Sequence, residues 1–173
     1  MIALQLKVAH NTGATFFIQR LIYNTLMAQP ILENRKARFD YEILETFEAG
    51  LVLTGQEVKS IISGKANIAG AFVLVRPSGA ELVNFQILPY QPKNLGGSFK
   101  EDRPRKLLLH KNQIDYLIGK SKEGGLAIIP LTIYKKNSKI KLAIGLARHK
   151  SKRDKRETIK KRETQREIKR IVG

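Results

Sequence analysis

The chain has 173 residues, no Cys, and 32 Lys or Arg against 15 Asp or Glu, which gives a formal net charge of +17. This length suits one domain with a tail. The lack of Cys excludes disulfides, thiolate nucleophiles and cysteine-type zinc sites, and it suits a reducing, cytoplasmic location. The charge predicts a polyanionic partner, and nucleic acid fits better than a membrane because no segment is both basic and strongly apolar.

Residues 1–26 hold no acidic residue, and polar positions such as His10 and Asn11 interrupt their apolar runs. They offer no span of about 20 apolar residues that would cross a bilayer. Three interpretations stay open: Met27 is the translation start, or the segment is a disordered natural extension, or it is a targeting peptide. The first is favoured, and we place a boundary between residues 26 and 27.

From residue 34 to residue 147 the apolar side chains recur mainly at every second position, the period of a strand with one buried face. Residues 39–53 predict one long bent strand, or two, with a bulge near Glu48 and Gly50. Residues 72–76 and 81–88 flank a Pro-Ser-Gly turn and predict a hairpin.

Residues 126–134 and 140–147 predict a second hairpin around the polar segment 135–139. In its second strand, long apolar side chains at even positions alternate with Lys, Ala and Gly, which predicts one buried and one solvated face. Pro130 lacks an amide donor, so we expect it at a sheet edge or a bulge.

Two helices interrupt the strands. Thr54 and Glu57 fit a capping box, which begins a helix that ends at Gly64. A second helix is predicted over residues 110–120, with Gly124 and Gly125 as its stop. The predicted buried faces are Val58, Ile61 and Ile62 in the first helix and Ile114, Leu117 and Ile118 in the second.

Together these elements predict a mainly β fold: a small closed barrel of the oligonucleotide-binding type, with about six strands and two to three short helices. The barrel domain spans residues 27–147. Residues 91–105 hold two Pro and two Gly and few apolar side chains, which predicts a long exposed loop.

No catalytic constellation is apparent in the sequence. His10, His110 and His149 lie far apart, and none has neighbouring metal-type ligands. Gly119-Lys120-Ser121 resembles the end of a phosphate loop, but the motif requires Gly at position 114, which is Ile. We therefore expect a protein that is not an enzyme and uses no cofactor and no metal; a nuclease is the least favoured alternative.

Basic residues interleaved with hydrogen-bonding ones form several clusters in the predicted domain. Phosphates bind Lys and Arg, while Asn and exposed backbone groups can read a base edge or a ribose hydroxyl. Each cluster alone is also compatible with a solvated surface, but together with the tail they favour RNA or DNA binding. The clusters are Asn34, Arg35, Lys36 and Arg38; Lys59 with Ser60; Lys65 with Asn67; and Arg103, Arg105, Lys106 and Lys111.

Residues 148–173 form a basic tail with twelve Lys or Arg against four acidic residues. The tail has too few apolar residues to offset the entropy of ordering it, so we expect it to be disordered alone. Glu157 lies four residues before Lys161, and Lys155, Ile159 and Arg162 share one helical face, so a basic helix is expected on binding. The alternative is a disordered solubilising tail.

Three motifs in order carry a resemblance to a known family. The segments ENRKARFDYEILETFEAGLVLTGQEVKSIISGKANI, RKLLLHKNQIDYLIGK and LARHKSKRDKRETIKKRE resemble the SsrA-binding protein (small protein B) family, the protein partner of transfer-messenger RNA (tmRNA). The resemblance covers about residues 34–166. Residues 1–26 match nothing in the family pattern.

The resemblance implies an oligonucleotide-binding barrel that holds the tRNA-like domain of tmRNA and brings it, charged with alanine, to stalled ribosomes. Alanyl-tRNA synthetase and elongation factor Tu are then indirect partners, and the protein acts as a monomer away from membranes. Asn34, Glu48 and Leu108 are implied to face the RNA, and His110, two residues after Leu108 in the same motif, is also predicted to contact it.

The resemblance also implies that the tail becomes helical in the vacant messenger channel, near the decoding centre. The implied ribosome contacts are Lys150, Arg153, Asp154, Lys155, Arg156, Ile159, Lys160 and Arg162. The family commonly has an aromatic residue or His where this chain has Arg153, whose guanidinium group can also stack. A structural protein of the ribosome and a general oligonucleotide-binding RNA binder remain the alternatives.

Overall fold

The computed structural model describes residues 30–92, 99–151, 153, 163–164 and 170. The predicted extension 1–26 and most of the predicted tail lie outside these residues. The elements in chain order are β1 (Pro30–Glu33), α1 (Arg35–Asp40), β2 (Tyr41–Leu51), α2 (Gly55–Ile62), β3 (Ala66–Asn67), β4 (Phe72–Arg76), β5 (Gly79–Val83), β6 (Gln86–Ile87), β7 (Arg105–Leu108), α3 (Lys111–Lys122), β8 (Leu126–Lys136) and β9 (Lys139–His149).

Seven strands form one antiparallel sheet in the order β1-β8-β9-β2-β7-β5-β4, and β3 pairs with β6 separately. The mainly β class is therefore confirmed, but the predicted closed barrel of about six strands is wrong. The sheet curls so that β4 contacts β8. Because β1 and β9 already occupy both hydrogen-bonding edges of β8, β4 packs against β8 without pairing, and the sheet stays open.

The segment that begins the domain differs from the predicted long strand. Phe39 lies in α1, because the Asn34 side chain caps that helix by accepting a hydrogen bond from the Ala37 amide at 3.0 Å. The bulge in β2 falls between Ile43 and Glu45, earlier than the positions predicted from the sequence. The period-two pattern thus identified the strand but not its start or its bulge.

The two hairpins are present with shifted boundaries. β5 ends at Val83 because Asn84 adopts a left-handed conformation with a φ of 58°, so the alternation up to residue 88 belongs to two separate strands. β8 and β9 are joined by Asn137 and Ser138, both with positive φ, as a two-residue type I′ turn requires. The expected irregularity at Pro130 is confirmed by a register shift immediately after it.

β9 is buried on both faces, whereas the sequence predicted one solvated face. Leu142 and Ile144 belong to the main core, while Ala143 and Ala147 face a second cluster with Ala37 on α1. The small side chains that alternate along β9 therefore make room for a second packed layer rather than for water.

Both longer helices follow their predicted signals. The capping box is present, since the Thr54 amide donates to Glu57 Oε2 at 2.8 Å and the Thr54 hydroxyl accepts from the Glu57 amide at 3.3 Å. Leu117 of α3 is buried as predicted, but Ile62 is 56% exposed and not part of the core. Within the described residues, no helix combines the length and hydropathy needed to cross a membrane.

Candidate nucleic-acid interface

A groove of about 540 Å³ lies where β2 meets β7 on one side and β9 on the other. Gly50 of β2 pairs with Leu108 of β7 and with Lys141 of β9, which brings three distant segments together. We call this the Glu48 groove; its lining includes Glu48, Gly50, Leu108, His110, Lys139 and Lys141. Three residues predicted to face RNA, at positions 48, 108 and 110, thus share one groove.

Glu48 lies at the centre of a network of hydrogen bonds and charges. Its Oε2 accepts from the Tyr134 hydroxyl at 2.7 Å and from Lys136 Nζ at 2.8 Å. The Nζ of Lys141 lies 3.7 Å from Oε1. The carboxylate is only 27% exposed, so it holds one phenol and two ammonium groups in fixed positions at the side of the groove.

The network keeps Glu48 ionised. Partial burial by itself would raise the pKa of Glu48, but the hydrogen bonds from Lys136 and Tyr134 and the nearby lysine charges more than offset it and lower the pKa. Burial and the bond to Glu48 raise the pKa of Tyr134, so its hydroxyl stays a proton donor. A lone carboxylate would repel phosphate, whereas this one is bonded to the cations that attract phosphate.

Leu108 supplies an apolar surface beside these charges. It is 57% exposed, so its apolar atoms are accessible at the edge of the groove. A Cβ built on Gly50 would lie 3.1 Å from the Leu108 Cβ, so the absence of a side chain at position 50 makes room for Leu108. An exposed apolar side chain among cations suits contact with a ribose or an unstacked base.

The basic cluster around α1 is only partly on the surface. Arg35, Lys36 and Arg38 are exposed, and both arginines lie within 4 Å of Glu33, at 3.7 and 3.8 Å. Asn34 was predicted to face RNA, but the structure places it in the interior. It is 4% exposed, and its Nδ2 donates to the Pro130 carbonyl at 3.0 Å. Its role is to cap α1 and tie that helix to β8.

A second predicted RNA contact, Arg105, lies in the interior. It was predicted to bind RNA, but it is fully buried, and its Nε donates to Glu57 Oε1 at 3.0 Å. Its other nitrogens donate to the carbonyls of Phe85 and Glu101. With no exposed surface, this guanidinium cannot reach a phosphate, and it instead ties β7 to α2.

Arg103 completes this buried network. Its Nε lies 3.0 Å from Glu57 Oε1 and its Nη2 lies 2.5 Å from Oε2. One carboxylate therefore accepts from two guanidinium groups and from the Thr54 amide. Residues 101–105 form the C-terminal end of the predicted exposed loop 91–105. This network of hydrogen bonds holds them to α2.

The remaining predicted contacts are on the surface. Lys59, Lys65 and Asn67 are exposed, and the lysines lie beside Tyr90. Lys106, within β7, and Lys111, at the start of α3, are also exposed. These residues remain candidate RNA contacts.

Of the predicted tail contacts, Lys150 and Arg153 are described. The Lys150 amide donates to the Asp40 carbonyl at 2.9 Å, which fixes the point where the tail leaves the sheet. Arg153 is exposed. The predicted contacts that lie outside the described residues are Asp154, Lys155, Arg156, Ile159, Lys160 and Arg162.

Sequence reasoning missed the lysines of the β8–β9 hairpin. Lys136, Lys139 and Lys141 all bond to Glu48 or line its groove, whereas the sequence pattern predicts only a hairpin there. The available signal was the recurrence of Lys on both sides of Asn137 and Ser138. Tyr134 gave no signal, because its partner is 86 residues away.

Among the residues that the structure describes, no three His, Asp or Glu side chains are grouped as a metal site requires. An open antiparallel sheet with a basic, partly apolar groove defines the class: a small basic β protein with a surface suited to RNA.

The comparisons then identify the family. The SmpB protein family model matches residues 31–173. The SsrA-binding protein of Thermosynechococcus vestitus is 49% identical over 140 residues, covering 81% of this chain and 92% of that protein. The SsrA-binding protein of Shouchella clausii is 45% identical over 148 residues, covering 86% and 94%. The chain belongs to the SmpB family.

A solved structure agrees with this assignment. It is described as "tmRNA-SmpB: a journey to the center of the bacterial ribosome" and is 43% identical in sequence, with a TM-score of 0.60. The match covers 76% of this chain and 95% of that chain. The likeness therefore extends over about three quarters of this chain, in fold as well as in sequence.

Proposed function

We propose that this protein binds tmRNA and acts with it on stalled ribosomes, as an RNA-binding factor and not as an enzyme. The observation that carries the proposal is the Glu48 groove, where family-motif residues and lysines from a distant hairpin meet. The relatives are named as binding proteins of SsrA, and the solved relative is described with tmRNA and the bacterial ribosome. These names favour a tmRNA partner over the alternative of a structural ribosomal protein.

In finer detail, the groove and the exposed basic residues around it hold the tRNA-like domain of tmRNA through phosphates and ribose hydroxyls. The tail enters the vacant messenger channel and becomes helical there. The protein acts as a monomer in the cytoplasm, and alanyl-tRNA synthetase and elongation factor Tu act on the same RNA without being bound by the groove.

A gel-shift titration tests the proposal directly. Purified protein is titrated with tmRNA and with an unrelated RNA of equal length, at two salt concentrations. A protein with +17 charge binds any RNA at low salt, because counterion release drives nonspecific association. We expect a preference for tmRNA that persists at the higher salt; equal, salt-labile binding to both RNAs would contradict the proposal.

Replacing Glu48 by Ala is expected to lower the preference for tmRNA about fivefold, which corresponds to about 1 kcal/mol. The change leaves the Tyr134 hydroxyl without its acceptor and frees Lys136 and Lys141 from their fixed positions. Nonspecific affinity should rise slightly, since a negative charge is lost. The ratio of the two affinities at the higher salt is therefore the quantity to measure.

Glu48→Gln is the matched variant, because its amide oxygen still accepts from Tyr134 but carries no charge; we expect an intermediate ratio. Glu81→Ala is the control, since Glu81 forms an exposed pair with Arg76 away from the groove. If Glu48→Ala keeps the wild-type ratio, Glu48 has only a structural role.

A further inference from the structure

A second cluster of cations and an aromatic ring lies beside α2. Lys59 Nζ lies 5.9 Å and Lys65 Nζ lies 5.7 Å from the ring centroid of Tyr90, and Lys65 Nζ also donates to the Tyr90 carbonyl at 3.2 Å. Tyr90 is 37% exposed, and both lysines are exposed. We call these three residues the Tyr90 cluster.

The cluster is built on a fixed backbone. Lys59 belongs to α2, and the chain turns after that helix through Gly64, whose φ is +75°. The Lys65 amide then donates to the Ser60 carbonyl at 2.9 Å, and the Lys65 carbonyl accepts from the Leu88 amide at 2.9 Å. The backbone that carries both lysines and leads to the ring is therefore held by hydrogen bonds.

Within the described part of the chain, neither ammonium of the cluster has a carboxylate within salt-bridge distance. Both ammonium groups lie beside the same aromatic ring, so the cluster presents two positive charges and an apolar surface together. A nucleic-acid phosphate supplies the negative charge that such lysines bind.

The chain offers an internal comparison at α3. Lys120 Nζ lies 6.0 Å from the ring centroid of Tyr116, which is 39% exposed, so the geometry and exposure resemble those at Tyr90. Here, however, Lys120 pairs with Glu123 at 2.7 Å, and the Tyr116 hydroxyl donates to Glu45. The hydrogen bond to Glu45 and partial burial raise the pKa of Tyr116 to about 12. Carboxylates already satisfy this cluster.

The Tyr90 cluster is also close to the Glu48 groove along the chain. Val58 lines that groove, and Lys59 is the next residue of α2. The groove and the cluster are therefore carried by the same helix. Because the groove is the proposed RNA site, this shared helix favours RNA over an acidic protein segment as the occupant.

We infer that the Tyr90 cluster is a second RNA contact, in which Lys59 and Lys65 bind a backbone phosphate and the Tyr90 ring packs against the sugar or base of the same nucleotide. The inference rests on the proposed function for the identity of the RNA. It adds Tyr90, which no motif in the sequence singled out, to the interface.

The test measures the affinity of the full-length protein for tmRNA in gel shifts over a range of salt. We expect Tyr90→Leu to weaken binding about tenfold and Tyr90→Phe to stay within about twofold of wild type, because Phe keeps the ring. The double change Lys59→Gln and Lys65→Gln should reduce the slope of log affinity against log salt by about 1 to 2.

Tyr116→Leu and Lys120→Gln are the matched controls and should stay within about twofold, because they alter the same kind of pair where carboxylates already satisfy it. Ultraviolet cross-linking of the wild-type complex adds an independent readout, with a nucleotide adduct expected on the peptide that contains Tyr90. Denaturant unfolding of each variant confirms that affinity losses do not arise from misfolding.

The outcomes separate this inference from the proposed function. Suppose that wild type prefers tmRNA, while Tyr90→Leu and the double lysine variant bind tmRNA as tightly as the controls do. The cluster is then not an RNA contact, and this inference fails while the proposed function stands. If wild type shows no preference for tmRNA, the proposed function fails, while equal losses for both RNAs at Tyr90 would still support an RNA contact there.

Discussion

Removing residues 151–173 is expected to abolish ribosome rescue while leaving the affinity for tmRNA within a few-fold of wild type. The truncated chain keeps the whole described sheet and both candidate RNA surfaces. The removed segment carries ten Lys or Arg against four acidic residues. Its loss should therefore lower nonspecific, salt-sensitive binding more than binding to tmRNA. Rescue is measured as tagging of a nascent chain on a ribosome stalled without a stop codon.

The point of truncation follows from the structure. Lys150 is kept because its amide donates to the Asp40 carbonyl and its Nζ donates to the Arg38 carbonyl at 3.3 Å, so a cut at residue 148 would loosen α1. The control is a full-length chain with residues 151–173 scrambled, which keeps the charge but disrupts the spacing of Glu and Lys. Loss of tmRNA binding on truncation, or full rescue by the scrambled tail, would contradict the proposed division between sheet and tail.

Replacing Glu57 by Gln is expected to lower the free energy of unfolding by about 3 to 5 kcal/mol. Glu57 is 1% exposed and accepts from Arg103, Arg105 and the Thr54 amide. Its neutral replacement leaves the buried guanidinium of Arg105 without a counter-charge. Denaturant unfolding, followed by the circular dichroism of the sheet, measures the change.

Glu81→Gln is the matched control, because Glu81 pairs with Arg76 at 3.3 Å in a pair whose side chains are 60% and 42% exposed. Water screens such a pair, so we expect a change of about 0 to 1 kcal/mol. Equal effects of the two substitutions would show that the buried network does not stabilise the fold.

The same network predicts a pH dependence of stability. Burial raises the pKa of Glu57, but the bonds from Arg103 and the Thr54 amide and the charge of Arg105 more than offset this and lower the pKa below its ordinary value of 4.5. The stabilisation is therefore complete above pH 4.5 and is lost as the pH falls through the folded-state pKa. Glu57→Gln should flatten the acid limb of the stability profile; an unchanged limb would contradict this.

Signals that act within a few residues were read correctly from the sequence. The capping box at Thr54, the hairpin turn within residues 135–139 and the irregularity at Pro130 each depend on local backbone chemistry. The α1 cap is missed from the sequence because Asn34 is assigned to the RNA surface, although Asn is also among the preferred N-cap residues.

The candidate site shows where local reasoning ends. The motifs placed Glu48, Leu108 and His110 near RNA, and the structure brings them into one groove. Arg105 belongs to a basic run by sequence and to the core by structure, because its carboxylate partner lies 48 residues away. A single sequence does not reveal whether an Arg points to solvent or to a distant Glu.

The sequence by itself determined the basic charge, the mainly β class, the capping box at Thr54 and the family motifs, because composition, periodicity and capping depend on neighbouring residues. Only the tertiary structure decided that the sheet stays open, that Arg105 is internal, and that Tyr134 and the hairpin lysines surround Glu48. Each of these depends on pairing between segments far apart in the chain. Such pairing is set by the packing of the whole domain, and it cannot be predicted from the pattern of neighbouring residues.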